Sequence, residues 1–168
     1  MWPEVLAQAQ DRALSMAVIG AGAGGLELLF AAEQRLRTHA RGARFTLITG
    51  GGEPGANYPK GVQARLLRRL RHLNITVLRD TCVGMAHGIV RLRSGSELAC
   101  DMPLLAIGTH APAWLQGSGL ALSGSGHVLV NACQQSPSHP EVFAAGDVAT
   151  RTDRPHPKSG VYAVRAGP

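Results

Sequence analysis

Aromatic side chains are scarce: three Phe, two Tyr and two Trp in 168 residues. Any core must therefore be mostly aliphatic, and a hydrophobic fraction of 45% supplies enough for one. Acids are few as well, 11 against 17 Lys and Arg, which leaves a net charge of +6. That surplus raises nucleic acid or an anionic surface as partners. The arginines fall largely on predicted helix faces, however, and no aromatics interleave with them, which argues against nucleic acid. Only three cysteines occur, Cys82, Cys100 and Cys133, with no C-x-x-C spacing. A disulfide framework and a dithiol redox pair are excluded on that count. The three read as small hydrophobes, buried in a reducing compartment. No apolar run approaches the roughly 18 residues of a membrane helix. Glu4 and Asp11 stand where a secretion leader would be basic, so a cytoplasmic location is expected, with peripheral membrane contact as the second option. The seven histidines show no metal-ligand spacing, and no metal site is expected. No Ser-His-Asp set or carboxylate pair is visible, so no residue is assigned as catalytic; His110 and His139 read as structural or exposed.

What is abundant is glycine, 21 in all. Four of these shape one stretch. Met16-Ala17-Val18-Ile19 is a short apolar strand. Gly20-Ala21-Gly22-Ala23-Gly24-Gly25 is a turn, and Leu26-Glu27 opens a helix. Gly20, Gly22 and Gly25 satisfy G-x-G-x-x-G. The first glycine permits the tight turn, the second lets a pyrophosphate approach the backbone, and the third lets helix and strand pack closely. The phosphates would lie at the helix N-terminus, where free N–H groups and the dipole favour anions. A turn serving packing alone is the alternative. Strand before and helix after favour dinucleotide binding.

The length suits one domain, or one domain with pieces of another. Residues 1–14 read as a lead-in helix after Pro3, with Val5, Leu6, Ala9 and Ala13 on one face and Trp2 docked on the body. Residues 15–20 form the first strand and 23–38 the first helix, whose Leu26, Leu29, Phe30 and Leu36 face the sheet. Arg35, Arg37 and Arg41 suit the helix end. The second strand, 44–49, ends at Thr49, followed by Gly50-Gly51-Gly52 and then Glu53. A dinucleotide site commonly carries an acid there for the ribose 2′-hydroxyl. Here that acid is absent or displaced, no arginine follows the strand, and NADH versus NADPH stays open. The triple glycine is either a surface loop or a second close approach to ligand. A second helix, 60–73, carries Val62, Leu66, Leu70 and Leu73 as its apolar stripe. Arg65, Arg68, Arg69 and His72 oppose them as a solvated face or a landing surface for something acidic. A third strand (74–78), an antiparallel meander (81–86, 89–93, 97–100) and a last buried strand (102–108) complete the pattern.

That order resembles the NAD(P)H-binding domain of the pyridine nucleotide–disulfide oxidoreductase superfamily, flavoproteins with two dinucleotide-binding domains. Three segments carry the resemblance. Gly20 to Gly25 with Glu27 matches the family's second nucleotide motif. Ala106-Ile107-Gly108-Thr109-His110-Ala111-Pro112 is similar to its A-x-G-x-x-P crossing segment. Pro140 to Ala149 resembles its flavin-site strand, which ends in Gly146-Asp147. The tail from Arg154, with Lys158-Ser159-Gly160-Val161, and the stretch Trp114 to Leu120 are similar to NADH-dehydrogenase-like members, especially the domain fused to selenide, water dikinase.

The resemblance implies a Rossmann-like, three-layer α/β fold with a parallel sheet, a meander and a partial FAD-domain segment. It sets domains at 15–109 for NAD(P)H and 110–168 for the crossover and partial FAD segment, after the lead-in at 1–14. It implies hydride transfer from nicotinamide to FAD and on to an acceptor such as a quinone. Gly20, Gly22, Ala23, Gly24 and Gly25 would hold the pyrophosphate, and Thr49 would end the ribose strand. Glu27 would lie toward the nicotinamide, and Gly108 would keep the crossing loop open. Gly146 and Asp147 would meet the FAD ribityl and phosphate region, with Lys158 beside the flavin ring. For Glu27, Asp147 and Lys158, a plain helix acid, a helix cap and an exposed lysine are the respective alternatives. The family carries two glycine motifs and this chain one, at the second's position. The chain is therefore expected to be a fragment, inactive alone, without tight FAD binding, and with 110–168 poorly anchored. Expected partners are the nicotinamide dinucleotide, the rest of the FAD domain and a second copy of the chain. A catalytically inert nucleotide-binding or docking module is the alternative function. A single-domain dehydrogenase fits less well, because Gly146-Asp147 would be superfluous and Tyr162 lacks its lysine.

Overall fold

The computed structural model describes residues 2–38 and 42–166, without the side chain of Trp2. The expected docking of Trp2 and the placement of Arg41 lie outside the described residues. The chain divides into two compact units after Ile107.

The first unit is built on a four-stranded parallel sheet in the order β3-β2-β1-β7. The strands are β1 (Ser15–Ile19), β2 (Arg44–Ile48), β3 (Thr76–Leu78) and β7 (Met102–Leu105). Val18 in β1 lies between Leu47 and Leu104. β1 is central, so both its faces need cover, and its unbroken apolar run meets that need. Met16 and Val18 face helices α1 (Trp2–Asp11), α2 (Ala23–Arg37) and α3 (Lys60–His72), joining Val5, Leu29, Leu36 and Leu70. Ala17 and Ile19 point the other way, with Ile48, onto Val90, Leu92 and Cys100. Those residues belong to or flank the meander β4 (Cys82–Ala86), β5 (Ile89–Leu92) and β6 (Glu97–Ala99). The period of two along β1 thus sorts alternate residues between a helical layer and a β layer. The result is the expected α/β class.

Several local expectations are corrected. On α1, Val5 and Ala9 are buried and Leu6 packs half-buried beside them as expected; Ala13 is exposed beyond the helix end, and Leu14 is buried instead. In α3, Val62 is 45% exposed and off the stripe. Gln63 takes the inward position, donating from Nε2 to the Ala56 and Tyr58 carbonyls at 3.0 and 2.9 Å. Leu66, Leu67 and Leu73 pack beside buried Leu70. β7 is not a buried strand. It forms one edge of the sheet; Met102 and Leu104 pack on the helical side, while Pro103 and Leu105 stay exposed. A proline, having no N–H to donate, is tolerated at such an edge. Glu33 is buried in α2, where the Arg37 guanidinium at the next turn pairs with it.

The second unit has its own small core: Leu115 from a 3₁₀ turn (Ala113–Gly117), Val128 and Val130 from β8 (Val128–Val130), and Ala149 from β9 (Ala149–Arg151). β8 and β9 run parallel, with Val128 opposite Ala149. A short helix, α4 (Gly160–Arg165), follows. The expected strand leading to Gly146-Asp147 is absent; only Phe143 bridges to Gln135. Backbone bonds from Ser136 to Val142 and from Ala144 to Gln134 fold 134–144 back on itself, which leaves Gly146–Val148 as a 3₁₀ turn. Among the described residues, no helix is long and apolar enough to cross a membrane.

Asp101 ties the start of β1 to the approach to β7. Its Oδ2 accepts from the Ser15 N–H and hydroxyl, both at 2.8 Å, and Oδ1 accepts from Arg12 Nη1 at 2.8 Å. The Ser15 N–H, then the hydroxyl and Arg12, hold its carboxyl down at about 2, from 3.8. A carboxylate with a depressed folded pKa stabilises fully above its unfolded value and loses that contribution as pH falls through the folded one. Asp101→Asn is expected to cost about 1 kcal/mol at pH 7. It should also flatten the acid limb between 3.8 and about 2, as read by urea unfolding against pH.

Candidate functional site

The turn after β1 is shaped by two close approaches. Gly20 has φ +115°, and a Cβ there would stand 2.1 Å from the Ala106 carbonyl oxygen. Gly25, in the first turn of α2, would place a Cβ 2.0 Å from the Gly20 oxygen and 3.2 Å from Ala106 Cβ. The Gly20 N–H donates to Ile48 O and the Ala106 N–H to Ile19 O, each at 2.8 Å. Two strand ends and a helix start therefore converge on two backbone carbonyls, those of Gly20 and Ala106.

Gly22 and Gly24 differ in kind: a Cβ at either would meet nothing within 4 Å. Both line open space. Gly22 is the N-cap of α2 and has no side-chain cap, and the first turn holds no acid. The leading N–H groups of a helix have no intrahelical partner, so the positive end of α2 is left uncompensated. Ala23 is exposed at that end, and Glu27 is exposed one turn further on.

Thr49 joins this site from the end of β2. Its N–H donates to Leu78 O at 3.0 Å, but its Oγ1 is buried with no partner. A buried hydroxyl without a protein partner is costly unless water or a ligand satisfies it. Gly50, Gly51 and Gly52 border open space, and the Gly55 N–H donates to Ala21 O at 3.3 Å, tying this loop to the glycine turn. Glu53 is held by Arg79, Nε to Oε1 at 2.6 Å and Nη2 to Oε2 at 3.1 Å. That bond and charge raise the guanidinium pKa. Reading the segment after β2 alone finds no arginine. Arg79 arrives from the end of β3, because Ile48 and Leu78 are register partners in adjacent parallel strands.

The remaining candidates lie in the second unit. Gly108, φ +82°, is its first residue and borders open space. Gly146, φ +74°, packs toward Ala163 of α4. Asp147 is half-buried in the 3₁₀ turn and caps no helix; Ser159 is the N-cap of α4. Lys158 is not an exposed lysine. Its Nζ donates to the Ala149 carbonyl and, at 2.8 Å, to Thr150 Oγ1, and burial pushes its pKa down. His127, passed over in the sequence, is 6% exposed. Its Nδ1 meets Ser125 Oγ at 3.0 Å and its Nε2 is buried without a partner. Burial and the Lys158 charge lower its pKa, while Asp147 raises it. No spacing announces His127; its only signal is its place just before the apolar Val128-Leu129-Val130. Cys133 is exposed and Cys82 half-buried, so only Cys100 matches the expectation of buried thiols. Among the described residues, no His, Cys, Asp or Glu cluster could hold a metal ion.

A parallel sheet with an open glycine turn at the end of its central strand defines a dinucleotide-binding α/β unit. The chain belongs to the pyridine nucleotide-disulphide oxidoreductase family, which it matches over residues 4–167. The cofactors of that family are FAD and NAD(P)H. Similar solved structures include reduced Bacillus anthracis CoADR-RHD, at 25% identity and a TM-score of 0.70 over 90% of this chain and 28% of that one. The ferredoxin reductase for the CYP199A2 system of Rhodopseudomonas palustris matches at 21% identity and 0.67, over 88% of this chain and 36% of that one. Putidaredoxin reductase in its covalent complex with putidaredoxin matches at 20% and 0.69, over 91% and 38%. The chain thus spans well under half the length of each, and the last two likenesses speak to fold alone.

The two kinds of glycine should separate on substitution. Gly25→Ala is expected to cost at least about 3 kcal/mol, because backbone cannot yield to a Cβ as a side chain can. Gly22→Ala is expected to cost about 1 kcal/mol or less, the price of a poorer N-cap. Urea unfolding of both variants checks the order.

Proposed function

We propose that this chain is the NAD(P)H-binding part of an FAD-dependent oxidoreductase that passes hydride from the nicotinamide to the flavin and on to an acceptor. The observation that carries this reading is the open cradle at Gly22 and Gly24, above an uncapped helix start and beside the unpartnered Thr49 hydroxyl. The residues fit a dinucleotide: glycines where a Cβ would fill the space, and an orphaned hydroxyl where a ribose would lie.

The nicotinamide, when bound, supplies the hydride. The chain's own residues bind and orient. Gly20 and Gly25 set the turn, and Gly22, Ala23 and Gly24 offer backbone N–H groups to the pyrophosphate. Thr49 Oγ1 meets the adenosine ribose, and Arg79 with Glu53 borders it. Glu27 stands toward the nicotinamide end. In the second unit, Gly146 and Asp147 face the FAD ribityl region, Lys158 fixes β9 behind them, and Gly108 leaves the crossing loop open. One glycine motif serves one dinucleotide, so the chain alone holds NAD(P)H and not FAD tightly. We place the nucleotide-binding domain at 15–109, with a lead-in before it and a partial FAD segment at 110–168.

The tail from Arg154 and the stretch Trp114 to Leu120 favour an NADH-dehydrogenase-like subgroup, with a quinone as acceptor and a parent fused to selenide, water dikinase. Redox-protein acceptors are the alternative; putidaredoxin in complex with its reductase illustrates that kind of partner. A cytoplasmic protein, with the exposed edge at β7 available to a second copy, completes the reading.

Titration with NADH, NADPH and FAD, followed by tryptophan fluorescence, tests it. Saturable binding of one nicotinamide nucleotide, weakened about tenfold or more by Gly22→Val, is the expected result. FAD binding without nicotinamide binding would reassign the turn to a flavin. No binding of either would favour an inert docking module.

A further inference from the structure

We propose that the cleft at the carboxyl ends of β8 and β9 binds a small molecule bearing a phosphate group. β8 and β9 are parallel and both end at this cleft, a cavity of about 630 Å³. In parallel sheets, the crevice outside the carboxyl ends of the strands is where ligands collect. Cys133, just after β8, and Arg151, the last residue of β9, line it together with Arg154, His156, Tyr162 and Arg165. The size lies within the usual span for small-molecule sites, roughly 300–1,000 Å³, and exceeds what one phosphate fills.

Charge selects the ligand. Three guanidiniums meet a single carboxylate: Asp153 holds Arg151, with Nε to Oδ1 at 3.0 Å and Nη2 to Oδ2 at 2.5 Å. Arg154 and Arg165 make no ion pair among the described residues. Two unneutralised forks on a concave wall suit a dianion, and the planar guanidinium matches phosphate geometry bidentately. His156 and Tyr162 stack with centroids 4.2 Å apart and planes 6° off parallel, and Arg165 follows Tyr162 on the same short helix. Asp153 orients Arg151 without cancelling the cleft's surplus.

The cleft is separate from the residues given a flavin role above. Gly146 and Asp147 precede β9 and so lie at its opposite end, and Lys158 binds the carbonyl of Ala149 at that same end. Three residues of strand put about 10 Å between the two ends. Nor does the cleft share a residue with the glycine turn, so the proposal stands or falls independently of nicotinamide binding.

Cys133 is a reporter inside the cleft, exposed where Cys100 is buried and Cys82 half-buried. The measurement is the rate of Cys133 alkylation by neutral iodoacetamide, followed at its peptide by mass spectrometry, with inorganic pyrophosphate as the probe. At about ten times its Kd, pyrophosphate should slow alkylation roughly tenfold. Sodium chloride at matched ionic strength should not. Arg154→Gln with Arg165→Gln should abolish the protection. Arg68→Gln with Arg69→Gln on α3, which removes as much charge elsewhere, should leave it intact, as should Gly22→Val. Equal protection by chloride, by polyglutamate, or in the Arg154/Arg165 variant would overturn the proposal, as would no protection at all.

Discussion

The first unit depends on a backbone contact from which side chains are excluded. The Gly20 carbonyl lies 2.0 Å from where a Gly25 Cβ would be, and the Ala106 carbonyl lies 2.1 Å from where a Gly20 Cβ would be. Hydrogen bonds from Gly20 to Ile48 and from Ala106 to Ile19 close the same knot. β1, β2, β7 and α2 are thereby fixed to one another at a single level. Because α2 sits that close, its N-terminus opens directly over the end of β1. The same close packing leaves the α2 N-terminus uncapped and facing open space at Gly22 and Gly24. That is why the same short run holds glycines that border backbone and glycines that border nothing.

The sheet's two covers show how far a linear pattern reaches. β1 is short and wholly apolar, which says only that both faces are buried. What covers each face is decided by the segments around it. The helical stripes of α2 were readable because Leu26, Leu29 and Leu36 recur at helical spacing, and all three are buried. The meander was readable from Gly88 and Gly95, both at positive φ, which break the chain into short strands. The failures are instructive in the same terms. Val62 lies at helical spacing from Leu66 and Leu70 but precedes the turn of α3 that reaches the core. Gln63 bonds to the incoming loop there and holds the inward position. β7 is as apolar as a central strand, yet position in the sheet, not composition, decides exposure, and Leu105 is 56% exposed at the edge.

Candidate site residues are legible in the sequence where a contiguous motif encodes them, as Gly20 to Gly25 does. Thr49 is a candidate because it ends a predicted strand, whereas its unpartnered buried hydroxyl is a property of three-dimensional packing. Arg79 reaches Glu53 across 26 positions because parallel strands bring their ends together. His127 acquires its meaning from Lys158 and Asp147, which lie beyond the reach of any spacing rule. The resemblance at Pro140 to Ala149 located Asp147 in sequence but implied a strand that the local hydrogen bonds replace with a turn.

The second unit is held differently from the first, and this bears on its residues. Holding the unit together by burial falls to a small apolar core, Leu115, Val128, Val130 and Ala149, with Ala111, Leu120, Leu122, Ala144 and Val148 packed against it. Hydroxyls take up part of that task. Ser118 Oγ donates to Leu115 O at 2.7 Å, and Ser138 Oγ accepts from the Ala121 N–H at 2.8 Å. Ser123, Ser125 and His127 form a chain, with links of 3.1 and 3.0 Å. Lys158 then binds the carbonyl of Ala149 and the hydroxyl of Thr150, so an ammonium fastens β9 where a larger core would have used a side chain. Polar contacts of this kind are directional but individually worth only about 1 kcal/mol. The small core, the hydroxyl chain and the β9 strand fastened by Lys158 together show a unit in which directional polar contacts supplement apolar burial.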